Sequence, residues 1–175
     1  MTYLKVSVTG LRDKHHPALA NQITTFEVQK SRPHLKMLTK VYFTYEKRAD
    51  QSGVSPHCRC CGEKSDTRTP NETILHILVE CPAYTDVRDR VFQEYETLCS
   101  RSQPSLEFQN ILKDKNTLCQ FILDPSSLNL SLRVNINDPN LESFFRKSRD
   151  ICYSIHNKRM NILKKEDSKQ EQPKN

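Results

Sequence analysis

The chain has 175 residues, of which 35% are hydrophobic and none is Trp, and it carries a net charge of +6. This length suits one domain with appendages or two small ones, and the low apolar content predicts a modest core. No run approaches the roughly 20 apolar residues that cross a bilayer. The three glycines are too scattered to form a phosphate-binding loop or a dinucleotide fingerprint.

The charge is unevenly distributed along the chain. Residues 1–57 hold nine Lys/Arg against four Asp/Glu, residues 58–99 five against eight, and residues 139–175 nine against five. The two ends are therefore basic and the centre is acidic. We expect a polyanion, if one binds, to be held by the ends. The simpler interpretation is that these charges only solvate helix faces.

The N-terminal part of the chain is predicted to be helical after a weakly alternating start. A first helix is expected over 17–30 and a second over 33–49, because Ser31-Arg32-Pro33 is typical of a stop followed by a restart. The first ten residues alternate enough to form a short strand. Residues 1–54 are thus interpreted as an N-terminal helical segment.

The predicted helix 33–49 has two different faces. One carries an apolar stripe, and on the other Lys36, Lys40 and Lys47 fall within about 40° of one another at 100° per residue. A lysine row opposite a buried face is suited to the backbone phosphates of a nucleic acid. These three lysines are candidate nucleic-acid-binding residues, although a solvated surface helix has the same pattern.

A possible metal site follows the loop 50–57. Cys58-x2-Cys61 and His76-x4-Cys81 together offer three thiolates and one imidazole, the Cys3His set of structural zinc sites. Gly62 follows the second cysteine, where a tight knuckle favours a backbone that reaches positive φ. The spacing therefore predicts one zinc ion held by these four residues.

The choice among the first cysteines is less fixed than the existence of the site. Cys60 could replace Cys58 or Cys61, and His57 is adjacent; the x2 spacing followed by glycine favours the Cys58/Cys61 pair. A disulfide framework is disfavoured because the number of cysteines is odd, seven, and no signal-peptide pattern follows Met1. The remaining three cysteines lie among apolar residues, as core side chains do. They are Cys99, Cys119 and Cys152.

A helix is predicted between the two ligand pairs. Thr69-Pro70-Asn71-Glu72 has the pattern of a capping box, with Thr69 as N-cap and Glu72 at N3. The helix would carry His76 in its second turn and end near Cys81, because Pro82 opposes its continuation. Together with a helix over 83–98, this defines a zinc-knuckle module at 55–99.

The C-terminal part is also predicted to be mostly helical. Short helices are expected over 105–113 and 116–123, an extended segment or helical turn over 128–136, and a long amphipathic helix over 139–163 opened by Asp138-Pro139. Residues 100–163 form a C-terminal helical region. The polar tail 164–175 is expected to be disordered. The predicted fold is mainly α, a small helical domain organised around one Cys3His zinc site.

Three stretches of the sequence resemble a known family. They are Arg32 to Leu38, Ser55 to Cys61 and Glu72 to Tyr84, the last reading ETILHILVECPAY. They are similar to the region that follows the reverse transcriptase domain in polyproteins of non-LTR retrotransposons. The resemblance is clearest over about residues 30–98. It implies that Cys58, Cys61, His76 and Cys81 bind zinc, and that the domain assists binding of RNA or DNA.

The chain departs from such polyproteins in its catalytic content. No polymerase carboxylate pair is recognisable, and Asp124-Pro125 and Asp138-Pro139 reverse the order of the Pro-Asp step of the associated nucleases. We therefore expect a non-enzymatic, intracellular protein, cytoplasmic or nuclear, that binds RNA or DNA, with other parts of a retroelement polyprotein as further candidate partners. The alternatives are a zinc-stabilised protein–protein interaction module and the remnant of a restriction-like endonuclease region.

Overall fold

The computed structural model describes residues 25–61, 69–101, 108–128 and 141–170. Within these ranges the chain is helical and forms no strand, which confirms the mainly α prediction. None of the helices in these ranges is long and apolar enough to span a membrane. The predicted strand near the N-terminus, the knuckle glycine and the Asp138-Pro139 cap lie outside the described residues.

The described residues form six α-helices and three shorter helical turns. The α-helices are α1 (Thr25–Leu38), α2 (Tyr45–Ser52), α3 (Thr85–Arg101), α4 (Phe108–Leu112), α5 (Lys115–Leu123) and α6 (Leu141–Gln170). A π-helical turn (His76–Glu80) and a 3-10 turn (Pro82–Tyr84) precede α3, and a second 3-10 turn (Pro125–Leu128) follows α5.

Helix α1 runs through Pro33, so the predicted break at residues 31–33 is wrong. A proline inside a helix costs about 3 kcal/mol, because it cannot donate to the carbonyl of residue i−4. The same helix buries Met37 and Leu38, and burying each of these side chains contributes about 1.5–3 kcal/mol. Packing therefore outweighs the local cost of the proline, and the helix continues.

The predicted single helix 33–49 is in fact two helices. Helix α1 ends at Leu38, and Lys40 lies in the left-handed region with φ of 60°. Helix α2 has its own N-cap, Thr44, whose side-chain oxygen accepts a hydrogen bond from the backbone N–H of Lys47 at 3.3 Å. A left-handed residue and a new N-cap interrupt the regular 100° progression, so the two halves do not share one helical face.

The core is formed where α6 packs against α1 and α3. At its centre the rings of Tyr95, Phe121 and Phe144 lie 5.0–6.3 Å apart, and the hydroxyls of Tyr95 and Ser148 are hydrogen-bonded at 2.9 Å. Offset and edge-to-face aromatic pairs of this kind stabilise beyond their buried area. The core contains residues from all three predicted parts of the chain, 1–54, 55–99 and 100–163.

The predictions for the rest of the chain are mostly confirmed. Helices α3, α4 and α5 lie close to the ranges predicted for them, and Asp114 caps α5 by accepting from the backbone N–H of Thr117 at 2.7 Å. The long C-terminal helix is present and continues to Gln170 instead of ending at Leu163, so residues 164–170 belong to the helix and not to the predicted tail. Residues 171–175 of that tail lie outside the described residues.

Candidate metal centre

A short antiparallel pairing positions the first cysteine of the motif. The backbone N–H of Cys58 donates to the carbonyl of Pro70 at 2.9 Å, and that of Glu72 donates to the carbonyl of Pro56 at 2.9 Å. The chain before the cysteine loop is thereby fixed against the chain that leads into the π-helical turn. This brings Cys58 and Cys61 next to the element that carries the other two candidate ligands.

The helix between the ligand pairs does not begin where the capping box predicts. Helical structure starts at residue 74, and the backbone N–H of His76 is capped by the hydroxyl of Thr73 at 2.9 Å. Thr69 and Glu72 precede the helix, so the predicted capping box is wrong. Glu72 instead points into the core, where it is fully buried.

The π-helical turn is what brings His76 and Cys81 together. In an α-helix, residues i and i+5 lie about 140° apart around the axis, on nearly opposite faces. Here the backbone N–H of Cys81 donates to the carbonyl of His76 at 2.7 Å, the i→i+5 bond of a π turn. The wider turn brings Cys81 back over His76. Single π turns of this kind are frequent at functional sites.

The four predicted ligands form one largely buried cluster. The donor atoms of Cys58, Cys61, His76 and Cys81 all lie within 4.8 Å of one another. The sulfurs of Cys58 and Cys81 are 3.9 Å apart, and the sulfur of Cys61 is 3.3 Å from Nε2 of His76. Ligands at about 2.3 Å from a tetrahedral ion place two sulfurs roughly 3.8 Å apart. The donor set and its spacing therefore fit one four-coordinate metal ion.

The protonation of the thiols is consistent with a site that needs a cation. Hydrogen bonds from the thiols of Cys60 and Cys81 hold the pKa of Cys58 well below its ordinary value. The same contact with Cys58 raises the pKa of Cys81, and burial raises the pKa of Cys61 to about 11. Cys61 and Cys81 thus hold their protons more tightly than a free cysteine does. A bound divalent cation would favour the thiolate form of all three.

Cys60 and His57 occupy different positions from the four-donor cluster. Cys60 is half-buried and belongs to a second group of possible metal ligands, with Cys58 and the carboxylate of Glu72, whereas the His57 side chain is exposed. Of the two groups of possible metal ligands among the described residues, the one that contains Cys58 and Cys61 also contains an imidazole, that of His76. Cys99, Cys119 and Cys152 are buried in the core, as predicted, and burial raises the pKa of each.

The carboxylate of Glu80 lies on the Nδ1 side of the His76 ring. Oε2 of Glu80 lies 3.7 Å from Nδ1 of His76, and Oε1 of Glu80 accepts from Nζ of Lys115 at 2.8 Å. The hydrogen bond from Lys115 lowers the pKa of Glu80. Carboxylates that accept a hydrogen bond from a metal-binding imidazole orient it and increase its basicity, but this contact is longer than a hydrogen bond. Glu80 therefore places a negative charge beside the candidate ligand His76 without fixing its ring.

A buried ion pair joins the cluster to α6. Glu72 accepts from Nε and Nη2 of Arg159 at 3.0 and 2.7 Å and from the backbone N–H of Tyr45 at 2.8 Å. Its Oε1 also lies 4.0 Å from the sulfur of Cys58. Burial by itself lowers the pKa of Arg159, but the hydrogen bonds and charge of Glu72 outweigh it, so that the pKa is raised.

A second contact fastens the cysteine loop to the end of α6. Arg59 donates to the hydroxyl of Tyr45 at 2.8 Å and to Oδ1 of Asp167 at 2.7 Å, and its Nε lies 3.2 Å from Oε2 of Glu166. The hydrogen bond with Asp167 is the main reason why the pKa of Arg59 is raised. The loop that carries Cys58 and Cys61 is thus tied to the last turns of the C-terminal helix.

Sequence reasoning missed four supporting residues. Glu80 lies four residues after His76, and that spacing is the signal that could have found it. Lys115 and Arg159 pair with acids 35 and 87 residues away, and such long-range pairs leave no signal in one sequence. Glu72 was assigned to a capping box, which concealed its role as a buried acid.

The three candidate lysines do not form one row. Lys36 is exposed in the last turn of α1, Lys40 follows the end of that helix, and Lys47 belongs to α2. Nζ of Lys47 donates to the backbone carbonyl of Lys40. The single-helix alignment on which their grouping depended is therefore wrong, although a phosphate-binding role for the individual lysines stays a prediction.

Asp124 does not support the hypothesis of a nuclease remnant. This side chain is fully buried and accepts from the backbone N–H of Ser126 at 3.2 Å, which stabilises the 3-10 turn after α5. Asp138, the acid of the other Asp-Pro step, lies outside the described residues.

Comparisons of the chain with models of protein families, with curated proteins and with solved structures give no match.

Proposed function

We propose that the cluster binds one zinc ion and that the ion is structural. Three thiolates and one imidazole in a compact tetrahedral arrangement are the preferred donors of Zn²⁺, whereas Mg²⁺ and Ca²⁺ require oxygen ligands. All four positions are supplied by protein side chains, and Cys58, His76 and Cys81 are buried. A closed shell of this kind leaves no open position for a substrate, which is the arrangement of a structural site.

The ion would act as a cross-link between two segments of the chain. It would hold the loop of Cys58 and Cys61 against the π-helical turn, and apparent binding energies of structural zinc are about 10–16 kcal/mol. Through Glu72 and Arg59 the same region contacts α6. Zinc binding would therefore stabilise the surface formed by α1, α2 and α6 as well as its own loop.

Metal content tests this proposal directly. We expect one zinc per chain by mass spectrometry under native conditions, and loss of helicity upon chelation. Cys81→Ala should abolish tight binding. Cys60→Ser is the matched control, because Cys60 lies beside the ligands and outside the four-donor cluster, and this variant should retain one ion. Wild-type protein that is fully helical and free of metal would refute a structural zinc.

For the protein as a whole, we infer a zinc-stabilised accessory domain that binds RNA or DNA and derives from the region after the reverse transcriptase of a non-LTR retrotransposon. The Cys3His cluster supports this inference, because it occurs at the positions that carry the resemblance. The basic N-terminal part, with nine Lys/Arg against four Asp/Glu in residues 1–57, supports the choice of a polyanionic partner.

The dependence of binding on salt tests the nucleic-acid assignment. Neutralising phosphates releases counterions, so the logarithm of the binding constant should fall linearly with the logarithm of salt concentration. A contact formed mainly by apolar side chains with a protein partner would respond much less. Absence of binding to both RNA and DNA at low salt would overturn the assignment and leave the zinc proposal intact.

A further inference from the structure

A groove of about 760 Å³ lies on the face of the protein formed by α1, the link to α2, and α6. Arg32 and Lys36 border it from α1, and Lys164 borders it from α6. The segment between α1 and α2 contributes Phe43 to its wall, and α2 contributes Arg48. None of the four candidate metal ligands lines the groove, which is therefore distinct from the metal centre.

The groove has a surplus of positive charge. Arg32, Lys36, Arg48 and Lys164 are exposed, and within the described residues none of them has an ion-pair partner. The other charges that line the groove are already compensated: Arg159 by Glu72 and Asp167 by Arg59. Four cations converging on one concave surface attract an anion with several charges.

The groove also presents an aromatic ring to solvent. Phe43 is 54% exposed, and the guanidinium of Arg48 lies over it at 5.3 Å from the ring centroid. An exposed phenylalanine flanked by an arginine offers a flat apolar face beside a positive charge. Nucleobases stack on such faces, and the adjoining phosphates are neutralised by the cation.

A histidine in the groove responds to the same charges. Nδ1 of His156 is hydrogen-bonded to the hydroxyl of Tyr42 at 2.9 Å. Burial, and then the positive charges of Arg159 and Lys36, lower the pKa of His156. An anion bound between these cations would offset their effect and raise that pKa. His156 therefore offers a local probe for the occupant of the groove.

We propose that this groove binds single-stranded nucleic acid, with an unpaired base stacked on Phe43 and the backbone phosphates contacted by Arg32, Lys36, Arg48 and Lys164. The inference rests on the proposed nucleic-acid binding and specifies its site and ligand. A single strand fits because its bases expose their faces, whereas a duplex covers them by stacking. An acidic peptide would satisfy the cations and would leave the Phe43 ring without a stacking partner.

Binding of fluorescent 12-nucleotide RNA and DNA single strands, and of the matching duplex, tests the proposal by anisotropy. Phe43→Ala should weaken binding to either single strand by about 5- to 150-fold, the range for loss of one stacked base. Phe26→Ala is the matched control, because Phe26 is 56% exposed and does not line the groove. Its effect should be small.

A charge series tests the phosphate contacts. Replacing Arg32, Lys36 and Lys164 together by Gln should lower the salt slope for a single strand by up to about 2.1. The control removes three exposed cations outside the groove, Arg90, Arg101 and Lys113, and should leave the slope nearly unchanged. By NMR, the single strand should raise the pKa of His156 in the wild type and not in the groove variant. Unchanged metal content and helicity would show that each variant is folded.

The outcomes distinguish failure of the groove proposal from failure of the proposed nucleic-acid binding. If the wild type binds none of the oligonucleotides at low salt, the proposed nucleic-acid function fails. If it binds them and the groove variants match their controls, the function stands and the groove proposal is overturned. Equal affinity for the duplex or for an oligoglutamate peptide, with no effect of Phe43→Ala, would also overturn single-strand recognition.

Discussion

Removing one partner of the Glu72–Arg159 pair should destabilise the protein severely. Arg159→Leu leaves a carboxylate that is fully buried and retains, among the contacts described, the backbone N–H of Tyr45. An uncompensated buried charge of this kind costs about 3–5 kcal/mol. Total stabilities are about 5–15 kcal/mol, so this single change removes a large fraction of the free energy of unfolding.

The double variant Glu72→Leu/Arg159→Leu should be more stable than Arg159→Leu alone. It removes both charges, and its main remaining defect is the unpaired N–H of Tyr45, which costs about 1–3 kcal/mol. Urea unfolding of the wild type and both variants, each purified with its metal, measures the three stabilities, with metal content checked in parallel because Glu72 contacts Cys58. An Arg159→Leu variant within about 1 kcal/mol of wild type, or a double variant less stable than the single one, would refute a buried, coupled ion pair.

Three further changes test the environment of the metal and the backbone turns. Glu80→Gln should weaken metal affinity in chelator competition by about 10-fold, the lower end of the range for outer-shell partners, because it removes a negative charge 3.7 Å from the imidazole of His76. Lys115→Met should lower stability at neutral pH, because it removes the cation that lowers the pKa of Glu80. The loss should shrink as pH falls from about 4.5 through that lowered pKa, where the wild type also loses the ion pair. An equal loss at every pH in thermal unfolding would show this to be wrong. Gly53 and Lys40 both have φ near 60–65°, which glycine adopts at lower cost than other residues. Gly53→Ala should therefore lower stability by about 1 kcal/mol, and Lys40→Gly should raise it. Unfolding shifts of the same sign in the two variants would contradict the backbone argument.

The sequence predicted those features that depend on local chemistry. The thiol and imidazole spacing identified the four residues that the structure brings together, because metal sites need few donor types at short separations. The long helix α6 was located by its amphipathic pattern, which is maintained over many turns.

The errors occurred where tertiary packing or an unusual turn overrides a local rule. Pro33 lies within α1 because the burial of its neighbours outweighs the cost of the proline. The break after Leu38 uses a left-handed Lys40, a conformation that no sequence rule assigns to lysine. The His76-x4-Cys81 spacing does not fit a regular α-helix, which would place the two candidate ligands on nearly opposite faces. The π turn brings them to the same side.

The positions of the buried pairs along the chain have a consequence for synthesis on the ribosome. The candidate metal ligands span residues 58–81, but Glu72 and Arg159 are 87 residues apart. At about 5–20 residues per second, roughly 4–17 s separate the translation of the acid from that of its partner. Cys81 follows Glu72 by nine residues, so all four candidate ligands are made early in that interval, and we expect the nascent chain to take up metal before α6 is complete. Arrested chains of increasing length should bind zinc once Cys81 has emerged and should become protease-resistant only after Arg159 has followed.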